Sequence, residues 1–268
     1  MRTARALVFA AALGCGAPAP PAPSTSASAP CPEGMVAVAA GTTAPSPGNR
    51  WSGMPAHGAV AVDALCLDRT EVTVRAYARC VADGACPEAA RTISYGAGEQ
   101  AGSAACNAGR EGAADHPINC VTFAQAEAFC AWRGARLPTA LEWEWAARGP
   151  DARPMPWGGA PLDATRANVL GTETPDALVP VPRRAPLDDG WAGTAPVGAF
   201  PAGATPEGVQ DLGGNVAEWC APLDPADPRR PVLGAAWGDD DPAAKMIGAA
   251  IAPTDHDEFT GFRCAADP

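Results

Sequence analysis

Apolar residues recur at intervals of three and four positions in three short segments of this 268-residue chain, which predicts three amphipathic helices. In the first segment, Thr73 is placed to cap the helix. The apolar face of that helix consists of Val74, Tyr77, Ala78 and Val81. The sequence therefore predicts a helix that begins just after Thr73.

The second and third segments each begin with a capping box, in which a threonine is followed three positions later by Gln or Glu. One box is formed by Thr122 and Gln125, and the other by Thr139 and Glu142. These patterns predict that two further helices begin directly after Thr122 and Thr139.

Short apolar runs predict β-strands at 35–39, 59–67 and 261–265. Residues 150–215 show neither a helical nor a strand period, and the 29 glycines and 30 prolines of the chain favour turns. We expect that stretch to be an ordered loop, which needs ions, disulfides or aromatic side chains to hold it. The fold class predicted is α+β with little regular secondary structure.

The first 15 residues have the pattern of a signal peptide. Arg2 and Arg5 precede an apolar run at 6–13 that is too short to span a bilayer. The run ends in Ala12-Leu13-Gly14-Cys15, which resembles a bacterial lipobox whose cysteine is lipidated and becomes the mature N-terminus. Ordinary signal cleavage nearby, with loss of Cys15, is the alternative.

Residues 16–30 contain no charged and no large apolar side chain, so they have nothing with which to build a core. We interpret them as a proline-rich linker with a reach of about 40 Å. Residues 31–268 then form the folded domain.

The charge of the chain is strongly acidic, at −11 for the whole sequence. Removal of the signal peptide takes away two arginines and leaves 17 basic and 30 acidic side chains, a net charge of −13. This charge argues against nucleic acid as a partner, since phosphate binding depends on Lys and Arg. Membrane contact is expected only through the lipid anchor.

Ten cysteines in an exported chain are typical of disulfides. With Cys15 set aside, nine remain, so at least one thiol is free or bonded to another chain. Proximity in sequence favours the pairs Cys80–Cys86 and Cys106–Cys120, although sequence alone does not fix connectivity. Cys31 and Cys66 stay unassigned. Cys220 is a disulfide half, a buried small residue or a reactive thiol.

An ordered series of motifs resembles the formylglycine-generating enzyme family, the sulfatase-modifying factors. The motifs are the block from Arg136 to Arg148, Pro156-Trp-Gly158, the stretch from Gly193 to Pro201, Gly213-Gly-Asn-Val-Ala-Glu-Trp219 and Gly261-Phe-Arg-Cys264. The match covers about 34–267. The resemblance implies the family's variant of the C-type-lectin-like fold, which is α+β with short strands. It also implies a disulfide between Cys130 and Cys264.

The resemblance further implies two structural calcium sites, and calcium takes carboxylate and carbonyl oxygens as ligands. The first site consists of the side chains of Asp211 and Glu218 and the carbonyl oxygens of Gly214 and Val216. The second consists of the side chains of Asn168 and Asp189 and the carbonyl oxygens of Val169 and Trp191. Glu71 matches a further family acid near a calcium ion. The alternative is a simple turn at Gly213-Gly214 and a solvated acid at Asp189.

The resemblance stops at the catalytic segment. The family's oxidase holds Cu(I) with two cysteine thiolates shortly before the Gly-Phe-Arg motif, and soft thiolates are the ligands that Cu(I) requires. Residues 233–253 contain no cysteine, and Met246 is their only sulfur. The three histidines, His57, His116 and His256, lack the spacing of a non-haem iron site. The sequence therefore assigns no catalytic residue and no copper.

We expect a calcium-stabilised, disulfide-braced binding or scaffold module at the cell envelope, with an envelope protein, a peptide or a glycan as its partner. The alternative is an oxidoreductase of the same family that modifies an exported peptide or small molecule by a cysteine-free mechanism. The eight tryptophans raise the question of sugar stacking. Because most of them lie inside the motifs, a role in the core is favoured.

Overall fold

The computed structural model describes residues 30–48, 53–93, 106–176, 178–179 and 185–268. The predicted signal peptide, Cys15 and nearly all of the predicted linker lie outside the described residues. Within the described ranges, no helix combines the length and the apolar character needed to cross a membrane.

Three α-helices form where the capping patterns predict them. They are α1 (Val74–Ala82), α2 (Phe123–Trp132) and α3 (Ala140–Arg148). The threonine before each helix accepts a hydrogen bond from the backbone N–H three residues later, and both capping boxes are complete. Helix α1 buries Tyr77 and Cys80, whereas Ala78, predicted on the apolar face, is exposed. The buried face of α1 is rotated toward Cys80 because that residue is bonded to Cys86.

Nine short strands form three small sheets in the described residues. The strands are β1 (Met35–Val38), β2 (Gly41–Thr42), β3 (Ala61–Val62), β4 (Leu65–Asp68), β5 (Ala217–Trp219), β6 (Arg230–Leu233), β7 (Ala249–Ile251), β8 (Thr260–Gly261) and β9 (Ala265–Ala266). One sheet has the antiparallel order β1-β4-β9, and a second pairs β2 with β3. The third has the order β7-β6-β5-β8, in which β5 and β8 are parallel.

Two predicted strands are each divided between two sheets. The run at 59–67 forms β3 and β4, and the run at 261–265 is interrupted between β8 and β9. The interruption occurs because Phe262, Arg263 and Cys264 are all completely buried and fill the core between the two sheets. Strands β2, β5, β6 and β7 are not predicted by the sequence.

The core consists of two main clusters. One packs α3 against β4 and β6 around Trp143, and the other packs α1 and α2 around Phe129 and Phe262. Trp143, Trp219 and Trp237 are fully buried, as predicted for core tryptophans, while Trp132 and Trp191 are each 37% exposed. The described part of 150–215 contains one short 3-10 helix, Pro201–Gly203, and is otherwise loop, as expected.

Four disulfides cross-link the described part of the chain. The two pairs favoured by proximity, Cys80–Cys86 and Cys106–Cys120, are confirmed, as is the pair implied by the resemblance, Cys130–Cys264. The fourth joins Cys31 to Cys66 in β4. Cys220 is a free, buried thiol.

Candidate functional site

A completely buried ion pair lies at the centre of the motif-bearing region. Strand β5 places Glu218, and the segment between β8 and β9 places Arg263. The guanidinium donates to both carboxylate oxygens, from Nε and from Nη2, at 2.7 Å each. Trp143 Nε1 donates to the same carboxylate at 2.8 Å. Burial acts to lower the pKa of Arg263, but the charge and hydrogen bonds of Glu218, together with the charges of Glu71 and Asp211, outweigh it and raise the pKa.

Two more carboxylates lie next to this pair. Glu71 is 2% exposed and lies within hydrogen-bonding reach of Asp211, and no N–H group or hydroxyl of the described residues donates to its two carboxylate oxygens. Burial raises the pKa of Glu71 well above its usual range, and the charge of Asp211 raises it further. Asp211 accepts a hydrogen bond from the Gly198 amide at 2.6 Å, and burial raises its pKa also. Glu71, Asp211 and Glu218 surround the single positive charge of Arg263. The excess negative charge must be balanced by a proton or a cation.

The first predicted calcium site falls in this cluster. The structure brings Asp211 and Glu218 to the same arginine, since the charge of Arg263 acts on both carboxylates. Both oxygens of Glu218 already accept hydrogen bonds, so a calcium ion there would have to share the carboxylate with Arg263. Calcium ligation by Asp211, Gly214, Val216 and Glu218 therefore remains a prediction.

The second predicted site lies in the long loop. Asp189 accepts hydrogen bonds from the amides of Val169 and Trp191, at 2.9 and 3.0 Å. Asn168 donates its amide N–H groups to Asp189, at 3.3 Å, and to the Gly193 carbonyl, at 3.1 Å. Its Oδ1 atom is buried and has no partner among the described residues. The structure thus brings together the two side chains that the sequence pairs, with one amide oxygen left to bind a ligand.

A third acid, Glu173, adjoins this second site and is missed by the sequence analysis. Both of its carboxylate oxygens are enclosed and lack a hydrogen-bond partner in the described chain. Burial raises the pKa of Asp189 to about 6, and the charge of Glu173 contributes to the increase. The only signal in the sequence is an acid five residues after Asn168, in a loop without a readable period.

The two predicted calcium sites are adjacent, because the turn that carries the first packs against Asn168 of the second. The Asn215 amide donates to the Asn168 carbonyl at 2.9 Å. A side chain at Gly214 would overlap that same carbonyl oxygen, so glycine is required for the two loops to approach. Asp211 and Asn215 both have positive φ, at 66° and 69°, which folds the turn tightly against Asn168.

The segment that carries no cysteine pair lines a cavity of about 510 Å³. Small residues such as Gly234, Ala236 and Gly248 form part of its lining, and Phe259 and Ile251 contribute apolar surface. The charged lining residues are Asp239, Asp257 and Lys245, of which Lys245 pairs with Asp239 at 2.8 Å. This cavity is polar at four positions, the three charged residues and Thr260, and is otherwise apolar, which is typical of a site for a small ligand or a peptide segment.

Thiol and imidazole groups do not converge on this cavity. Cys220 is fully buried, does not line the cavity, and donates its S–H to the Glu218 carbonyl at 3.6 Å. Burial, followed by the charge of Glu218, raises the pKa of Cys220 well above its usual range, so it stays a thiol. Met246 is buried and lies just after a 3-10 helix, Pro242–Lys245. The described residues contain no group of three His, Cys, Asp or Glu side chains that could hold a metal.

The fold is an α+β domain with little regular structure, several small sheets and long ordered loops. Residues 21–268 match the family model described as the sulfatase-modifying factor enzyme 1-like domain, and the chain belongs to that family. The fold expected from the resemblance is thereby confirmed.

Comparison with curated proteins gives both enzymes and a relative named inactive. The chain is 35% identical over 184 residues to the formylglycine-generating enzyme of Thermomonospora curvata, covering 58% of this chain and 56% of that protein. It is 42% identical over 116 residues to the hercynine oxygenase of Mycolicibacterium smegmatis, covering 41% and 23%. It is 36% identical over 161 residues to the inactive C-alpha-formylglycine-generating enzyme 2 of Bos taurus, covering 57% and 50%. The chain therefore matches about a quarter to just over half of the length of these relatives.

Solved structures support the fold over most of the chain. PvdO from Pseudomonas aeruginosa aligns with a TM-score of 0.61 and 24% identity, covering 87% of this chain and 94% of PvdO. The Treponema denticola variable protein 1 aligns with a TM-score of 0.59 and 20% identity, covering 87% and 95%. At these identities the similarity establishes the fold alone.

Proposed function

We propose that this chain is an exported, lipid-anchored member of its family that binds a ligand at the cell envelope and does not carry out copper-dependent oxidation. The observation that carries the proposal is the 510 Å³ cavity, whose lining offers carboxylates and an amine but no thiol. Copper(I) does not fit this set of side chains, because it requires soft ligands. The relative named inactive is a precedent for a member of this family without the activity.

The charges that line the cavity favour a cationic ligand. Lys245 is paired with Asp239, which leaves Asp257 as the unbalanced charge in the lining. The Asp257 side chain is held in place by a hydrogen bond from the Phe259 amide at 3.0 Å. A ligand with one positive group and an apolar part, such as an arginine-containing segment of an envelope protein or peptide, is complementary to this lining.

Calcium is proposed as a structural ion at the second site. The side chains of Asn168 and Asp189 would hold it, since an unpartnered amide oxygen and a carboxylate are suitable donors for calcium. The ion would stabilise a long loop that has little secondary structure of its own.

Export and lipid anchoring at Cys15 complete the proposal. Four disulfides support export, because disulfides persist in oxidising compartments. The alternative function is an oxidoreductase with a cysteine-free mechanism, which the similarity to the hercynine oxygenase favours.

A mass measurement separates the two functions. The full chain is incubated with copper, a reductant and a Cys-x-Pro-x-Arg peptide, with the Thermomonospora curvata enzyme as the positive control. We expect the peptide mass to stay unchanged with this protein and to change with the control. Conversion of the peptide thiol to an aldehyde by this chain would overturn the proposal.

Calorimetry with the same peptide tests the cavity, since the peptide carries an arginine. Asp257→Asn is expected to weaken binding about fivefold through the loss of one charge. The exposed neighbour Asp255 provides the matched control, and Asp255→Asn is expected to leave binding unchanged. Equal effects of the two substitutions, or no binding by the unmodified chain, would contradict placement of the ligand in this cavity.

A further inference from the structure

We propose that Glu173 is a third side-chain ligand of calcium at the second site, and that its carboxylate increases the calcium affinity of that site. The inference rests on the calcium proposed for Asn168 and Asp189. It adds a residue that lies outside the ligand set implied by the resemblance.

The first argument comes from oxygen atoms that the fold leaves without partners. Asn168 uses its amide N–H groups as donors to Asp189 and Gly193, and this orientation leaves Oδ1 without a donor. Asn168 is only 1% exposed, so water does not readily replace the missing partner. The two oxygens of Glu173 are enclosed in the same way. Each buried oxygen without a donor destabilises the folded state, and a bound cation would remove that penalty.

The second argument is the position of the negative charge. The Glu173 carboxylate lies beside Gly171 and the Leu187 carbonyl, two residues before Asp189, because a side-chain carbon added at Gly171 would overlap both groups. Asp189 is 9% exposed, so the repulsion between the carboxylates is only partly screened by solvent. Two carboxylates match the double charge of a calcium ion.

The third argument is the type of donor. The three side chains offer only oxygen atoms, which select hard cations such as calcium over copper or zinc. Asp189 already accepts hydrogen bonds from Val169 and Trp191, but a carboxylate oxygen has lone pairs for both an amide and a cation. Calcium takes six to eight oxygens in a flexible arrangement, so amide, carboxylate and carbonyl donors can be combined around it.

The experiment uses the full chain with three substitutions: Glu173→Gln, Asp189→Asn and, as the matched control, Asp188→Asn. Asp188 is exposed and next to the site, and its substitution removes the same charge. Calcium stoichiometry and affinity are measured by calorimetry, and the melting temperature is measured in chelator and in saturating calcium. Stoichiometry separates the second site from any ion bound near Asp211.

For Glu173→Gln, we expect calcium affinity at the second site to fall about tenfold, because ligand charge tunes the affinity of calcium sites. In chelator, its melting temperature should equal or exceed that of the unmodified chain, since an unpaired buried charge has been removed. In calcium at a concentration that saturates only the unmodified chain, the order should reverse. Asp188→Asn should behave like the unmodified chain.

Each other outcome is decisive. If Asp189→Asn loses one bound calcium while Glu173→Gln binds normally, the calcium site stands and the role of Glu173 is wrong. If Asp189→Asn keeps full stoichiometry and affinity, the calcium proposal for this site fails, and the role of Glu173 fails with it. If Glu173→Gln lowers the melting temperature equally with and without calcium, Glu173 has a structural role only.

Discussion

Arg263 connects its own segment to three other parts of the chain through one side chain. Its guanidinium donates to Glu218 in β5, to the carbonyls of Asp68 and Arg69 at the end of β4, and to the carbonyl of Gln210 in the long loop. The residue is completely buried, where an arginine is tolerated only when it is paired. The position of the long loop relative to the sheets therefore depends on a charged contact.

Breaking this pair is expected to be costly. Glu218→Gln should lower the free energy of unfolding by about 3–5 kcal/mol, because the buried Arg263 would lose the one carboxylate that accepts two of its hydrogen bonds. Denaturant unfolding in chelator measures this loss without a contribution from bound calcium. The double variant with Arg263→Met should lose less than the sum of the two single losses. Additive losses would show that the two side chains do not interact.

At the scale of elements, all three helix starts are predicted, whereas four of the nine strands in the described residues are not. Thr73, Thr122 and Thr139 cap their helices as predicted because a cap is a local contact between residues three positions apart. Strands of two to four residues are too short for a period of two to be recognised. Their positions are set by distant partners, as in the parallel pairing of β5 with β8.

In the candidate sites, too, the sequence identifies individual residues but not the contacts that the fold makes between distant residues. The sequence resemblance identifies Asn168 and Asp189, and the structure brings them into contact across 21 positions. The contact between Glu218 and Arg263, and the proximity of Glu173 to Asp189, depend on how loops fold against each other. No local pattern in the sequence encodes those distances.

The burial of Tyr77 in helix α1 can be tested through the pH dependence of the free energy of unfolding. Tyr77 is 2% exposed, its hydroxyl donates to the Pro87 carbonyl at 2.9 Å, and burial raises its pKa to about 12. A tyrosine in the unfolded chain ionises near pH 10. The folded state holds this proton more tightly, so its contribution is complete below about pH 10 and is lost as pH rises toward 12.

We therefore expect the free energy of unfolding to fall between about pH 10 and 12, more steeply in the unmodified chain than in Tyr77→Phe. Urea unfolding at several pH values measures both slopes. The phenylalanine variant keeps the aromatic packing against Phe129 and Phe262, so it isolates the hydroxyl. Identical slopes would mean that Tyr77 ionises equally easily in the folded and unfolded states.

At the scale of the whole molecule, the disulfides differ in the length of chain that they close. Cys130–Cys264 closes a separation of 134 residues, and Cys80–Cys86 closes a separation of 6. In the chain-entropy model, these contribute about 5 and about 2 kcal/mol. Replacing Cys130 and Cys264 by alanine should therefore cost about 3 kcal/mol more than the same replacement of Cys80 and Cys86, which is the matched control.

Denaturant unfolding of the two double variants measures this difference. All four cysteines are buried, so the cavities left behind are similar and largely cancel in the comparison. Equal losses would indicate that strain or residual structure in the unfolded chain, and not loop closure, determines the effect of the long-range disulfide.

The disulfide between Cys31 and Cys66 has a mechanical consequence for a domain held by its N-terminal end. Cys66 lies in β4, the central strand of its sheet, and Cys31 lies just before β1 at the edge. A pulling force applied ahead of Cys31 passes through the covalent bond into the central strand. The hydrogen bonds between β1 and β4 are bypassed, so tension does not peel the edge strand away. Shear or drag on a tethered domain would thus load its interior and leave its first strand in place.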